Sequence, residues 1–202
     1  MDYDHIGAAT LWFPLAMHSK LNPGRWTRCV DCGLDKGQYS SHYATMFDNV
    51  ISIDGILRKE TKNRLGDLSN VTLVESCLSD TVGDTVTWYE FTENQYLSTI
   101  SEEQMKREVE NSNIDTNTIN MHKIETNTLD NIVNCDVDFL KVDCEQVDYN
   151  VILGAENIIS SYKPTIQVEA SHMALEQFLF DLGYYKLEHT EHNMMDRLFF
   201  PK

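Results

Sequence analysis

The sequence predicts an α/β fold on a mostly parallel, seven-stranded sheet that ends in an antiparallel hairpin. Three observations predict it. Short apolar runs alternate with amphipathic helical patterns, a glycine turn follows the first such run, and two strand-like runs close the chain. Alternation of this kind marks parallel strands joined by crossover helices. The 202 residues, 42% of them apolar, suffice for one domain with a sizeable core.

The elements follow in order. "RCVDC" (28–32) is the first strand, followed by a glycine turn and a helix over 38–47. "VISID" (50–54) is the second strand, "LRKETKNRLGDL" (57–68) the second helix and "VTLVES" (71–76) the third strand. "VDFLKVD" (137–143) reads as the fourth strand, and "VDYNVILGAENIISSY" (147–162) as one amphipathic helix. "TIQVEA" (165–170) is the fifth strand, and a helix over 172–183 stops at glycine. "YYKLEH" (184–189) and "MMDRLFFP" (194–201), joined across "TEHN", form the terminal hairpin. Residues 1–27 read as an N-terminal extension with little periodicity, and 28–202 as the main domain. The run 92–118 is a polar insertion, helix-like near 101–110: either a solvated excursion or a lid over the sheet edge.

Charge and cysteine usage narrow the function. Thirty-two acids against sixteen bases give a net charge of −16, without a Lys/Arg cluster to neutralise phosphates. Such a chain repels nucleic acid and anionic membrane. No apolar run reaches the ~20 residues of a membrane span. The N-terminus opens with acids, unlike a secretory signal, so a cytoplasmic location is expected. Five cysteines, an odd number, suggest reduced thiols. Cys29 and Cys32 are spaced as a redox pair, but they lie before the turn, on a strand where positions three apart face opposite ways. They are read as buried hydrophobes, and no second Cys/His cluster completes a zinc site.

The glycine turn carries more. Asp31 ends the first strand, Gly33 and Gly37 bracket the turn, and the helix beyond offers free N–H groups. Asp54 ends the second strand, 21 residues after Gly33, where an acid accepts hydrogen bonds from ribose hydroxyls. Both NAD and S-adenosylmethionine fit this plan. Asp35 inside the turn would repel a pyrophosphate, whereas an acidic site suits a sulfonium and an ammonium, with Asp31 able to accept from the latter.

"VDCGLDKGQYS", "VTLVESCLSDTVGDTVTWYE", "TNTLDNI", "VDFLKVDCEQVDYNVILGAENII" and "PTIQVEASH" occur in that order. Over roughly residues 28 to 200 the chain resembles the FkbM-type S-adenosylmethionine-dependent methyltransferases. The resemblance implies a Rossmann-like class I methyltransferase sheet and methyl transfer, commonly to a hydroxyl oxygen of a sugar or other small metabolite. By similarity Asp31, Gly33 and Gly37 hold the methionine part, Asp54 the ribose, and Ser79 and Asp80 border the adenine. The chain departs from the family pattern at Leu34 and Asp35, where a small residue and Asn are usual. It departs again at Gly55, in place of Pro after the second-strand acid, and at Gln146 and Asp148, in place of Gly and Glu in E-G-x-E.

Methyl transfer mainly needs a positioned acceptor and a base. The candidates close the fourth and fifth strands: Asp143, Glu145 and His172, with Glu169 nearby. His172 suits a base near neutral pH, and crowding is expected to raise Asp143 or Glu145. The carboxylates could also take Mg²⁺ or Ca²⁺, but no octahedral spacing is evident, and no metal is expected. Two other readings compete: an NAD-linked oxidoreductase, and a cofactor-binding module without turnover.

Overall fold

The computed structural model describes residues 8–92, 97–169, 172–187 and 196–202. Ten strands and eight α-helices are found among them. The strands are β1 (Arg28–Cys32), β2 (Asn49–Asp54), β3 (Val71–Glu75), β4 (Cys77–Leu78), β5 (Thr85–Phe91), β6 (Ile119–Asn127), β7 (Phe139–Val142), β8 (Thr165–Val168), β9 (Tyr184–Lys186) and β10 (Arg197–Pro201). The helices are α1 (Phe13–Leu21), α2 (Gln38–Tyr43), α3 (Lys59–Leu65), α4 (Glu102–Ser112), α5 (Leu129–Ile132), α6 (Asp148–Leu153), α7 (Glu156–Tyr162) and α8 (Met173–Asp181).

Seven strands form one sheet in the order β3-β2-β1-β7-β8-β10-β9. Its members β3, β2, β1, β7 and β8 are mutually parallel, and β10 runs antiparallel to both β8 and β9. This is the Rossmann-like sheet with the reversed C-terminal pair that the sequence predicts. The "TEHN" joint of that pair lies outside the described residues. The strand order reverses between β1 and β7, so their carboxyl ends open a crevice where α/β proteins bind ligands.

Alternation along β1 splits its side chains between two cores. Val30 and Cys32 join the larger apolar cluster, with Leu140, Val142, Ile152 and Ile166. Cys29 joins the other, with Leu11, Leu15, Tyr43, Phe47 and Phe139. The two cysteines are therefore free, buried and on opposite faces, as strand geometry requires. Leu11 and Leu15 lie in the segment with little sequence periodicity, so α1 covers one sheet face. His18 of α1 is tied to Thr165 Oγ1 at 2.7 Å and to the Arg25 carbonyl at 2.6 Å.

Two differences from the sequence reading have local causes. The single helix expected over 147–162 is two, α6 and α7, broken at Gly154. A Cβ there would lie 2.2 Å from the Ser79 carbonyl oxygen, and Asp130 accepts from the amides of Asn157 and Ile158 at 2.9 Å, capping the second piece. The sequence also hides a second sheet, β4-β6-β5, whose long pair is β5 with β6. Most of β6 faces solvent with polar side chains, so it shows no apolar alternation.

Candidate active site

A cavity of about 560 Å³ opens at the carboxyl ends of β1, β2 and β7. The loop after β1, the end of β2, the β3–β4 joint, Trp88 of β5, residues 98–100 and the loops after β7 and β8 all contribute to its wall.

The loop after β1 is shaped by its glycines in an unexpected way. Gly33 has φ +82°, and a Cβ there would stand 1.7 Å from the Asp143 carbonyl oxygen. Gly37 has φ +77° and accommodates Leu65, whose Cδ1 would be 2.7 Å from an added Cβ. Both glycines thus answer to the protein's own backbone and side chains. The turn closes through Gly37 N–H donating to the Leu34 carbonyl at 2.7 Å.

Asp54 lies in the cavity wall. Its Oδ2 accepts from the Leu34 amide at 2.9 Å and its Oδ1 from the Ile56 amide at 3.4 Å. Burial raises its pKa, while the Leu34 bond and the charge of Arg58 oppose that rise. Asp31 sits elsewhere: it is buried behind the loop and is not part of the cavity wall. Ser40 Oγ donates to its Oδ2 at 2.6 Å, and Lys141 Nζ lies 3.8 Å from its Oδ1. Burial pushes Asp31 up to about 6, against the pull of Lys141 and Ser40. Ser79 and Asp80 are also off the wall, where Asp80 accepts from Ser79 Oγ at 3.0 Å and Asn150 Nδ2 at 2.9 Å. Cys77 and Leu78, just upstream, line the cavity instead.

The opposite end holds Asp143, Glu145 and Glu169, whose carboxylates offer oxygens within 4.8 Å of one another. Lys141, buried in β7, donates to Asp143 Oδ2 at 2.9 Å and lies over the Tyr39 ring, 4.6 Å from its centroid. Burial disfavours ionised Asp143, but the charge of Lys141 and hydrogen bonds from Glu169 and Lys141 outweigh it and lower the pKa. That reverses the crowding effect expected for Asp143. Its neighbours carry the rise: burial and the Asp143 charge push Glu145 to about 8 and Glu169 to about 9. Asp143 is the fixed anion and Glu169 the proton holder. Lys141 neutralises one of the three acids. His172 stands before α8, exposed, with its ring edge-on to Tyr149 at 4.9 Å, and is not in the cavity wall.

The Methyltransferase FkbM domain matches residues 31–198. The chain belongs to the FkbM methyltransferase family. Methyltransferase FkbM from Methylobacillus flagellatus KT is similar in structure, with a TM-score of 0.61 at 18% identity, over 96% of this chain and 48% of that one. This chain therefore spans about half of that protein's length. An rRNA methylase from Streptococcus thermophilus matches with a TM-score of 0.50 and 13% identity, over 97% of this chain and 96% of that one. N-methyltransferase NodS from Bradyrhizobium japonicum WM9 matches at 0.50 and 9%, over 95% and 94%. At these identities the likeness is one of fold. Curated protein sequences give no match.

Three departures of this FkbM-family chain from the usual pattern, at Asp35, Gln146 and Asp148, have physical accounts. Asp35, at φ +46°, does not leave a bare charge in the loop, because Arg58 Nη1 donates to its Oδ1 at 2.8 Å. Gln146 keeps the left-handed backbone a glycine would adopt, with φ +74°, after Glu145 at +47°. The strain is held by Asp148, whose Oδ1 accepts from the Cys144 amide at 2.7 Å and closes the turn despite its shorter side chain. Arg58, Trp88, Ser98 and Thr99 also line the cavity. Arg58 and Trp88 carry no sequence signal, whereas Ser98 and Thr99 fall in the 92–118 run, which reads in the sequence as a solvated excursion or a lid.

Proposed function

We propose that this chain is an S-adenosylmethionine-dependent O-methyltransferase acting on a hydroxyl of a small acceptor such as a sugar. The observation that carries the reading is the arrangement of one cavity. An amide-bound acid, Asp54, lies at the β2 end, and three crowded carboxylates lie at the β7–β8 end. The residues present fit the cofactor. The amides of Leu34, Ile56 and Asp35 occupy three of the four acceptor sites of the Asp54 carboxylate and leave one for a ribose hydroxyl. With Glu145 and Glu169 protonated near neutral pH, Asp35, Asp54 and Asp143 stand against Lys36 and Arg58 in the wall, a small acid excess that suits a cationic ligand. When bound, the cofactor supplies a methyl group on an electrophilic sulfonium.

The chain's own residues then divide the work. Asp31, Gly33 and Gly37 hold the shape of the loop facing the methionine part. Ionised Asp143 steadies positive charge. Glu145 and Glu169, held high enough to exchange protons near neutral to alkaline pH, take the proton of the acceptor hydroxyl, a step worth typically ~10²–10⁴-fold in rate. The acid excess of the wall and the net charge of −16 support a small acceptor over a nucleic acid. Calorimetric titration tests the cofactor, and a screen of hydroxylated acceptors with a labelled methyl donor tests the reaction. Heat with S-adenosylmethionine and label on a sugar or related alcohol are expected. Heat with NAD instead, or with neither, would sink the reading.

A further inference from the structure

Gly55 and Trp88 compete for one space. A Cβ on Gly55 would stand 2.4 Å from Cζ3 of Trp88 and 2.9 Å from both Cε3 and Cη2. No residue larger than glycine fits after Asp54 while the indole stays. Both residues line the cavity, and they do so next to Asp54. The ring arrives from β5, in the small second sheet, 33 positions along the chain from Gly55.

The indole is held there against a penalty. Its Nε1–H is buried and finds no acceptor among the described residues. Leaving a buried donor unmade is unfavourable, and a phenylalanine would offer an aromatic face without one. The larger ring must therefore return something that packing alone does not. Ile53, Cys77 and Leu78 give the same wall an apolar part, whereas Asp143, Glu145 and Glu169 gather at the β7–β8 end. An apolar slot with an indole face beside a hydroxyl-accepting acid suits a flat, uncharged, π-rich ring.

We propose that Trp88 is the base-stacking wall of this site and that Gly55 is present to admit it. The ligand part it takes is a purine base joined to the ribose that Asp54 accepts. This rests on the reading of the cavity as an adenosine-containing cofactor site. It adds a specificity-determining residue from outside the seven-stranded sheet, and it makes glycine after the β2 acid half of a matched pair.

The test is calorimetric titration of the full chain with S-adenosylhomocysteine and with adenosine, alongside thermal melting. Trp88→Ala should weaken both probes by about ten- to a hundredfold. Trp88→Phe, which removes the unpaired donor, should weaken both by about three- to tenfold, with a melting temperature unchanged or higher. Gly55→Ala, which displaces the ring, should weaken them as Trp88→Ala does. Adenosine should quench tryptophan fluorescence in the parent and not in Trp88→Phe, because Trp12 and Trp26 lie outside the cavity wall. Unchanged affinity in Trp88→Phe overturns the proposal. A lowered melting temperature with full affinity does so too, and marks Trp88 as a packing residue. If the parent binds neither probe, the cofactor reading fails and this one with it. If it binds S-adenosylhomocysteine while all three variants bind equally well, only the present inference fails.

Discussion

The two ends of the cavity hold their acids by opposite means. At the β2 end, Asp54 is met by backbone amides of Leu34 and Ile56, so its position follows from the course of the chain. At the β7–β8 end, Asp143, Glu145 and Glu169 are held by one another and by the buried Lys141. Amide donors stabilise a fixed negative charge, whereas crowded carboxylates keep protons that one of them must give up. The first arrangement suits binding and the second suits proton transfer. One sheet edge provides both because the strand order reverses between them.

The sharpest way to break this comparison is at the point where the two ends touch. Gly33 belongs to the loop after β1, yet its missing side chain makes room for the Asp143 carbonyl of the other end. Gly33→Ala places a Cβ 1.7 Å from that oxygen in a left-handed backbone. The expected cost is about 3 kcal/mol or more, the sum of conformational strain and overpacking. Chemical denaturation measures it. A loss below 1 kcal/mol, by contrast, would mean that the two loops move independently.

Next in size is the acid proposed to meet the ribose. Asp54→Ala should weaken S-adenosylmethionine by about 1.5–3 kcal/mol, the range for hydrogen bonds to a charged group. Asp54→Asn, whose single amide oxygen can replace only one of the two accepting oxygens, should recover part of the fold stability and part of the affinity. Equal affinity in parent and Asp54→Ala removes this residue from the binding end.

The third test addresses the crowded end through pH. Glu145 and Glu169 have folded pKa values of about 8 and about 9, above their unfolded values near ~4.3. The folded state therefore holds their protons more tightly. Their contribution to stability is full below pH ~4.3 and is lost as pH rises through 8 to 9. Both groups are partly solvated, which reduces the loss to about 1 kcal/mol each. Glu169→Gln should make the urea midpoint less sensitive to pH between 5 and 9 than in the parent. Identical pH slopes would show that Glu169 does not hold a proton against Asp143.

How much of this was legible beforehand depends on distance along the chain. The strands β1, β2, β3, β7 and β8 could be read because each is a short run rich in apolar residues, buried in the sheet except at the edge strand β3. The strands β5 and β6 could not, since β6 lies largely in solvent and carries no alternation. The opposite facing of Cys29 and Cys32 followed from strand geometry alone. The inward turn of Asp31 did not, because it depends on Lys141, more than a hundred residues later, and on Ser40. Arg58 meeting Asp35 and Trp88 filling the space of Gly55 are likewise products of the fold. Sequence reasoning found the two strand ends that build the site. It overlooked the side chains that enter from outside them.

The smallest expected effect concerns His172, and it tests whether the β7–β8 end works through carboxylates at all. As an imidazole after the fifth parallel strand, His172 reads in the sequence as a natural base. In the structure it is exposed, in extended backbone (φ −130°, ψ 169°) ahead of α8, with its ring 4.9 Å from Tyr149 at 77°. Asp143, Glu145 and Glu169 all line the cavity and His172 does not. His172→Ala should therefore cost about 0.5 kcal/mol of stability, the lower end for an edge-to-face ring pair. Turnover on a confirmed acceptor should change by less than about threefold, since a general base is worth ~10²–10⁴-fold and this residue is not placed as one. The pH–rate profile should keep an ascending limb near 8, set by Glu145. A tenfold or greater loss of turnover at unchanged cofactor affinity, together with loss of a limb near ~6.5, would make His172 the base after all. The crowded carboxylates would then share the binding role of Asp54, and the division between the two ends would not hold.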